Sequence, residues 1–382
     1  MIGFDQDAMT QALNLTKAGR LAEATELIQG RLGSGSQFGS PSKIEPLKPF
    51  GVANHFPSPL ASPHGLPMQL SKPDLHVSQA PPESLGAGTV LDKTFTRGSS
   101  ARRYLLYVPP DCPSQGMPVI VMLHGGTQAV LDYAAGTGMN KLADRHRFLV
   151  VYPEQDSRAN PMRYWNWFRR QDQRTGAGEP ALIAGITEQV VREYGADRDR
   201  VFIVGFSAGA AMATVMAATY PDLYAAAGVH SGLPYGVAHD VSSAFALMRG
   251  ENLPARRDAG LRIPLIVFHG DRDQIVNVVN ASHIRQQRLG LDRASTAAGD
   301  VAVTQGRVPG GLTYTRTIYS DQVEVLLEQW IVHGAGHAWF GGTSGCSYTD
   351  ASAPDASAEM VRFFSERSKA TFHSALVPDT ER

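Results

Sequence analysis

Ser207, Asp273 and His337 are the residues of this 382-residue chain whose types and settings could do chemistry together. Ser207 lies in Gly205-Phe206-Ser207-Ala208-Gly209, directly after the β-branched and aromatic run at 201–204. A strand that breaks into glycines around a serine implies a turn into a helix so tight that a side chain at either glycine would strike backbone. The serine is thereby lifted into an exposed, strained position. The Ala- and Met-rich stretch 208–220 then reads as a helix that can pack closely beneath the turn, its N-terminus favouring negative charge near Ser207. A serine hydroxyl becomes a nucleophile at neutral pH only when an imidazole takes its proton, and the imidazole in turn needs a carboxylate to fix its tautomer.

Two later segments supply those partners in the order Ser, Asp, His. The apolar run 263–268 reads as a buried strand and opens into His269-Gly270-Asp271-Arg272-Asp273. The run 325–332 reads as another strand and opens into His333-Gly334-Ala335-Gly336-His337-Ala338-Trp339. We therefore expect Ser207 as nucleophile, His337 as general base and then acid, and Asp273 as the orienting carboxylate, with Asp271 as the rival for that last role. Acyl transfer also needs donors for a tetrahedral oxyanion. The Ala208 N–H is one candidate. The loop His124-Gly125-Gly126-Thr127-Gln128, after the apolar run 118–123, offers Gly126 as the other, with Thr127 next.

These motifs, together with 103–109, Trp165-Asn166-Trp167-Phe168 and 178–183, make residues 95–368 resemble the poly(3-hydroxybutyrate) depolymerase-type esterases, a branch of the α/β-hydrolases related to feruloyl and acetylxylan esterases. The resemblance implies an acyl-enzyme mechanism on carboxylic esters, with 3-hydroxybutyrate oligomers, polyester or short-chain esters as substrate. A feruloyl or acetylxylan type of carbohydrate esterase is the alternative, and a polyester-granule binding protein on a hydrolase fold is the third reading. One departure stands out: many relatives have His-Gly-Cys-Thr-Gln where this chain has Gly126 in the cysteine position. The backbone donor survives that change, but a crosslink at the loop does not.

The remaining singular residues have a structural and a functional reading. Trp165, Trp167 and Trp339 could wall a pocket for an ester with apolar faces, or could be core. Trp339, two residues past the base, is expected to line the site. His124, His269 and His333, at strand ends, are expected to be structural, and no metal-binding spacing occurs near them. Neither a metal nor a cofactor is expected.

Composition bounds the rest. With 43% hydrophobic and 19% charged residues the chain can build a sizeable core, and a net charge of -1 with no basic block argues against a nucleic-acid partner. Two cysteines, Cys112 and Cys346, do not make a disulfide framework, which favours a reducing compartment. No stretch approaches a membrane span, and the first residues lack the basic start and apolar core of a signal peptide, so a cytoplasmic location is expected.

Along the chain, residues 1–33 read as a helix-turn-helix segment in which 18–24 resembles part of one tetratricopeptide unit. We expect it to dock on its own catalytic domain or on a second copy in a homodimer, the sharper reading being contact with a polymer granule. Residues 34–90 are rich in Pro, Ser and Gly and read as a linker or strap. Residues 91–372 read as the catalytic domain and 373–382 as a tail. Within the domain, strands at 88–96, 103–108, 119–123 and 148–152 and helices at 180–194 and 357–368 give the strand–helix alternation of an α/β fold, a mostly parallel sheet with helices on both faces.

Overall fold

The computed structural model describes residues 85–113, 115–251, 261–290 and 300–369. The expected 1–33 segment, the linker up to residue 84 and the 373–382 tail lie outside the described residues. The last residues assigned to the linker, 85–90, belong instead to the folded body, since Leu85 packs against the core and β1 begins at Thr89.

Strands β1 (Thr89–Arg97) and β2 (Ser100–Val108) form an antiparallel hairpin whose half-exposed first strand alternates in burial. The centre of the sheet is different in kind. Strands β3 (Val119–Leu123), β4 (Leu149–Pro153), β5 (Val201–Phe206), β6 (Ala226–His230) and β7 (Leu265–Gly270) are buried at every position. Continuous apolar runs are what a parallel sheet covered on both faces requires, because each side chain meets a helix above or below. Strands β8 (Val301–Arg307), β9 (Thr313–Ser320) and β10 (Val325–His333) complete a ten-stranded sheet of order β1-β2-β4-β3-β5-β6-β7-β10-β9-β8. Neighbours from β4 through β10 run parallel, and the pairs at both flanks are antiparallel.

The helices are α1 (Val130–Thr137), α2 (Met139–His146), α3 (Gly178–Glu193), α4 (Ala208–Thr219), α5 (Val241–Met248), α6 (Val279–Leu289) and α7 (Ala356–Ser365). Helix α4 is apolar and almost wholly buried around its circumference, as befits a helix enclosed by protein. Helix α7 is capped by Asp355, whose carboxylate accepts from the Ala358 N–H at 2.9 Å. Its Phe364 ring stacks on Phe202 of β5 at 4.6 Å between centroids and 7° between planes. The chain after β10 is drawn back over the sheet by a short parallel pair, β11 (Trp339–Phe340) with β12 (Thr349–Asp350).

Glycines govern how near the functional strand ends approach one another. A Cβ on Gly205 would lie 2.1 Å from the Gly209 carbonyl oxygen, and one on Gly209 would lie 2.1 Å from the Leu123 carbonyl oxygen. These are backbone atoms with nowhere to move. We expect Gly209→Ala to cost roughly 1–3 kcal/mol or more and to lower the melting temperature by several degrees. Gly336→Ala, where a Cβ meets no atom within 4 Å, should leave the melting temperature nearly unchanged. Thermal unfolding followed by circular dichroism compares the two.

Candidate active site

The site is assembled at the carboxyl ends of adjacent parallel strands, where an open α/β sheet presents its loops to ligand. Ser207 closes β5 with φ 54° and ψ -118°, a left-handed backbone that non-glycine residues seldom adopt. Its own N–H is fixed by the His230 carbonyl at 2.9 Å, and the next residue begins α4. The helix N-terminus therefore faces the serine. Ala208, as the first residue of α4, carries an N–H that the helix itself does not use.

Asp273 and His337 meet as the sequence suggests. Asp273 Oδ2 lies 2.7 Å from His337 Nδ1, with the side chains 0% and 6% exposed. Asp273 Oδ1 accepts from the Ile275 and Val276 N–H groups at 2.9 and 2.8 Å, so the carboxylate cannot rotate away. Burial opposes its charge, yet the neighbouring His337 charge and hydrogen bond outweigh burial and hold Asp273 below the ordinary carboxylate range. The His337 ring packs on Phe206, the residue before the serine, at 5.0 Å between centroids. Among the described residues the Ser207 hydroxyl has no hydrogen-bond partner. In unliganded sites of this kind that last link commonly tightens only with substrate present.

Asp271 is placed elsewhere. Its carboxylate binds His333 Nδ1 at 2.9 Å and the Gly334 N–H at 2.7 Å, and His333 Nε2 in turn meets Thr315 Oγ1 at 2.8 Å. This second carboxylate–imidazole pair is 35% and 40% exposed, on the outer side of the same two loops. The turn after β7 explains the division: the chain bends there, with the Asp273 N–H donating back to the Gly270 carbonyl at 3.3 Å, so that Asp271 is left on the solvent side and Asp273 in the enclosed loop. Gly270 allows the loops to touch, since a Cβ there would lie 2.3 Å from the Ala335 carbonyl oxygen.

The oxyanion loop follows β3. Thr127 is removed as a backbone donor because its N–H is already given to the Met162 carbonyl at 2.9 Å. Gly126 N–H has no acceptor among the described residues and is the loop's remaining candidate beside Ala208. The Tyr164 ring lies directly against Gly126: a Cβ at 126 would sit 2.4 Å from a ring carbon. A cysteine in this position would collide with that ring, so the departure from His-Gly-Cys-Thr-Gln has a local steric cause.

The three tryptophans do not form pocket walls. Trp165 is 0% exposed, stacks obliquely on His124 and donates its indole N–H to the His124 carbonyl at 3.0 Å. Trp167 is 4% exposed, edge-on to Phe168. Trp339 is 2% exposed, stacks on His230 at 4.9 Å and donates to Ser357 Oγ at 3.0 Å. An indole enclosed on all sides cannot touch substrate; Trp339 instead packs edge-on to Phe206 of the elbow at 6.3 Å between centroids. The expectation that Trp339 lines the site fails because Trp339 N–H is bonded to the Tyr348 carbonyl, which draws the residue into the β11–β12 pair.

The strand-end histidines are structural. His124 Nε2 accepts from the Gln155 N–H at 3.0 Å and Nδ1 faces the Gly125 carbonyl at 2.7 Å, an arrangement that needs the neutral ring. Burial lowers its pKa to about 4. His269 is also buried, its Nε2 at 2.8 Å from the Val276 carbonyl and 3.5 Å from Asp273 Oδ2. His230 had no signal beyond its place at a strand end, yet it bears on the site: Nε2 accepts from the Phe340 N–H at 3.1 Å, and burial pushes its pKa well down. Also unforeseen is a buried polar network behind the oxyanion loop. Glu179 accepts from the Asn166 N–H and side chain, both at 2.7 Å, and from Gln155, which also receives Arg102. Of this network the sequence shows only that Glu179 stands directly before the helix expected from residue 180.

A mostly parallel, doubly covered sheet with a serine elbow, a buried Asp–His pair on later strand ends and an oxyanion loop after β3 defines the α/β-hydrolase class. Residues 102–308, more than half of the chain, match the family described as Esterase PHB depolymerase, and the chain belongs to that family. It is 33% identical over 246 residues to a poly(3-hydroxyalkanoate) depolymerase C of Paucimonas lemoignei, covering 60% of this chain and 57% of that protein. It is 25% identical over 269 residues to acetylxylan esterase A of Emericella nidulans, covering 63% of this chain and 85% of that protein. The solved acetyl xylan esterase from Aspergillus awamori shares the fold at a TM-score of 0.56 and 24% identity, covering 65% of this chain and 94% of that one.

Two predictions follow from this geometry. Asp273→Asn should lower kcat on an activated ester by about 10⁴-fold, as loss of the orienting carboxylate does in a serine triad, whereas Asp271→Asn should stay within a few-fold of the parent. Equal losses in the two would contradict the division of roles. For pH, His124 titrates near 6.5 when unfolded and at about 4 when folded, so the unfolded state binds more protons between those values. The stability from keeping this ring neutral is complete above pH of about 6.5 and is lost as pH falls toward about 4. The melting temperature should therefore decline through that window; a flat profile from pH 7 to 4 would exclude the claim.

Proposed function

We propose that the protein is a serine carboxylic ester hydrolase working through an acyl-enzyme. The observation that carries the reading is the buried Asp273–His337 pair beside the strained Ser207, with the Ala208 and Gly126 N–H groups free to receive an oxyanion. Ser207 Oγ attacks the ester carbonyl while His337 Nε2 takes its proton, and Asp273 holds the Nδ1–H tautomer and stabilises the imidazolium. The two N–H groups bind the tetrahedral oxyanion, and donors of this type are worth about 2.7–4 kcal/mol each. His337 then protonates the departing alcohol, and water repeats the sequence on the acyl-enzyme. Neither step calls for a metal or cofactor.

For substrate we propose 3-hydroxybutyrate oligomers, polyester or short-chain esters, supported by the similarity to the Paucimonas lemoignei depolymerase. The match to the Emericella nidulans acetylxylan esterase covers more of that protein's length and supports the carbohydrate-ester alternative. We further propose a cytoplasmic location, and a homodimer or granule contact made by residues 1–33. No helix among the described residues is long and apolar enough to cross a membrane.

Release of p-nitrophenol from acetate, butyrate and octanoate esters by the parent and by Ser207→Ala tests the mechanism: activity should fall by about 10⁴-fold or more in the variant, leaving background hydrolysis. Supplying 3-hydroxybutyrate trimer and acetylated xylan in parallel decides the substrate class. Release of 3-hydroxybutyrate without release of acetate is the expected result, and the reverse would install the carbohydrate-esterase reading. A folded parent inactive on all of these esters would overturn the hydrolase reading.

A further inference from the structure

The segment 162–166 touches the oxyanion loop at three successive points. Met162 accepts the Thr127 N–H at 2.9 Å, the Tyr164 ring covers Gly126, and the Trp165 indole donates to the His124 carbonyl at 3.0 Å. The segment is itself anchored from behind. Gln155 donates its side-chain amide to the Tyr164 carbonyl at 2.8 Å and its N–H to His124 at 3.0 Å, while Glu179 grips Asn166 through two hydrogen bonds. The loop is also held by Tyr348, whose Oη meets Thr127 Oγ1 at 3.0 Å. Thr127 and Tyr348 both hold positive φ, at 63° and 54°, a backbone cost that persists only where the surroundings enforce it.

We propose that Tyr164 is a positioning residue for the reaction: its ring, laid flat into the space that a side chain at 126 would fill, holds the Gly126 N–H at the oxyanion. The proposal rests on the ester-hydrolase reading above. The physical argument is that a glycine has no side chain to wedge its own peptide, so its N–H direction is set by what lies on it. A donor must stay within a few tenths of an ångström of where charge develops, and misplacement of about 1 Å costs about 10²-fold in rate. Tyr164 and Gly126 are thus one unit, in which either residue makes sense only with the other.

The test is a double-mutant cycle read in kcat and KM on p-nitrophenyl butyrate, with a melting temperature for every variant. Tyr164→Ala should lower kcat by about 10- to 100-fold with KM changed by less than about threefold, because the ground-state ester makes little use of the oxyanion donors. Tyr164→Phe keeps the ring and should stay within about threefold of the parent. Gly126→Ala should be severely impaired by collision with the ring, and Gly126→Ala/Tyr164→Ala should be no worse than the weaker single variant, a coupling that independent residues do not show. Should Tyr164→Ala not fold, Tyr164→Leu replaces it and is read the same way. Unchanged kcat in Tyr164→Ala, or losses that simply multiply in the double variant, would overturn the proposal while leaving the hydrolase reading intact. A parent without Ser207-dependent turnover would overturn both.

Discussion

The close backbone approach at the β5–α4 turn is the constraint on which the rest of this structure depends. Ser207 can present its hydroxyl above the sheet only if Gly205, Gly209 and the Leu123 carbonyl nearly touch. That contact fixes where α4 begins, and so where the Ala208 N–H lies. It also ties β3 to β5, bringing the oxyanion loop after β3 against the serine. The strained backbone of Ser207 is held by a helix buried from Ala208 to Ala217 and by the hydrogen bond from its N–H to the His230 carbonyl. Strain of this kind is retained because its surroundings leave no alternative.

Around the turn, polarity is sorted by depth. Two aspartates two residues apart each find a histidine, but Asp273 and His337 are enclosed whereas Asp271 and His333 are a third exposed or more. In the enclosed pair little water competes, so orientation of the ring is firm and the charge interaction is strong. The outer pair, hydrogen-bonded on to Thr315, joins β7, β9 and β10 where their loops depart. Both pairs span the same two loops, and the depth of each decides what it can do. Behind the oxyanion loop the same sorting recurs, with Arg102, Gln155, Asn166 and Glu179 satisfying one another away from solvent. Apart from Arg102 Nε, which is buried without a partner, the network is satisfied internally and backs the loop with a fixed wall, which is what a preorganised oxyanion site requires.

Membership of the Esterase PHB depolymerase family and the proposed mechanism meet in these loops. The polyester and carbohydrate-ester relatives differ in what their names say they cleave, while the turn, the Asp–His pair and the donor loop stand for the chemistry common to ester hydrolysis. Discrimination between substrates must come from residues that line the approach to Ser207. The buried tryptophans are not among them, and half-buried Tyr164 and Tyr348 are the aromatic residues that border the loop.

By itself the sequence determined the class of fold, the candidate nucleophile Ser207 and base His337, and a candidate carboxylate at Asp273 or its neighbour Asp271, because these are written locally. Short apolar runs at 119–123, 201–204 and 263–268, each opening into glycine-containing loops, read as covered strands, and the glycines around Ser207 permit a turn that few other residues allow. The tertiary structure decided what depends on depth and on contact between distant segments. The β8–β9 hairpin was not legible, because its first strand is exposed on both faces and carries no burial pattern. Nor could spacing choose between Asp271 and Asp273, exclude Thr127 as a donor, or separate a core tryptophan from a pocket wall. Each of those outcomes turns on a partner more than thirty residues away: His337 for Asp273, Met162 for Thr127, His230 for Trp339.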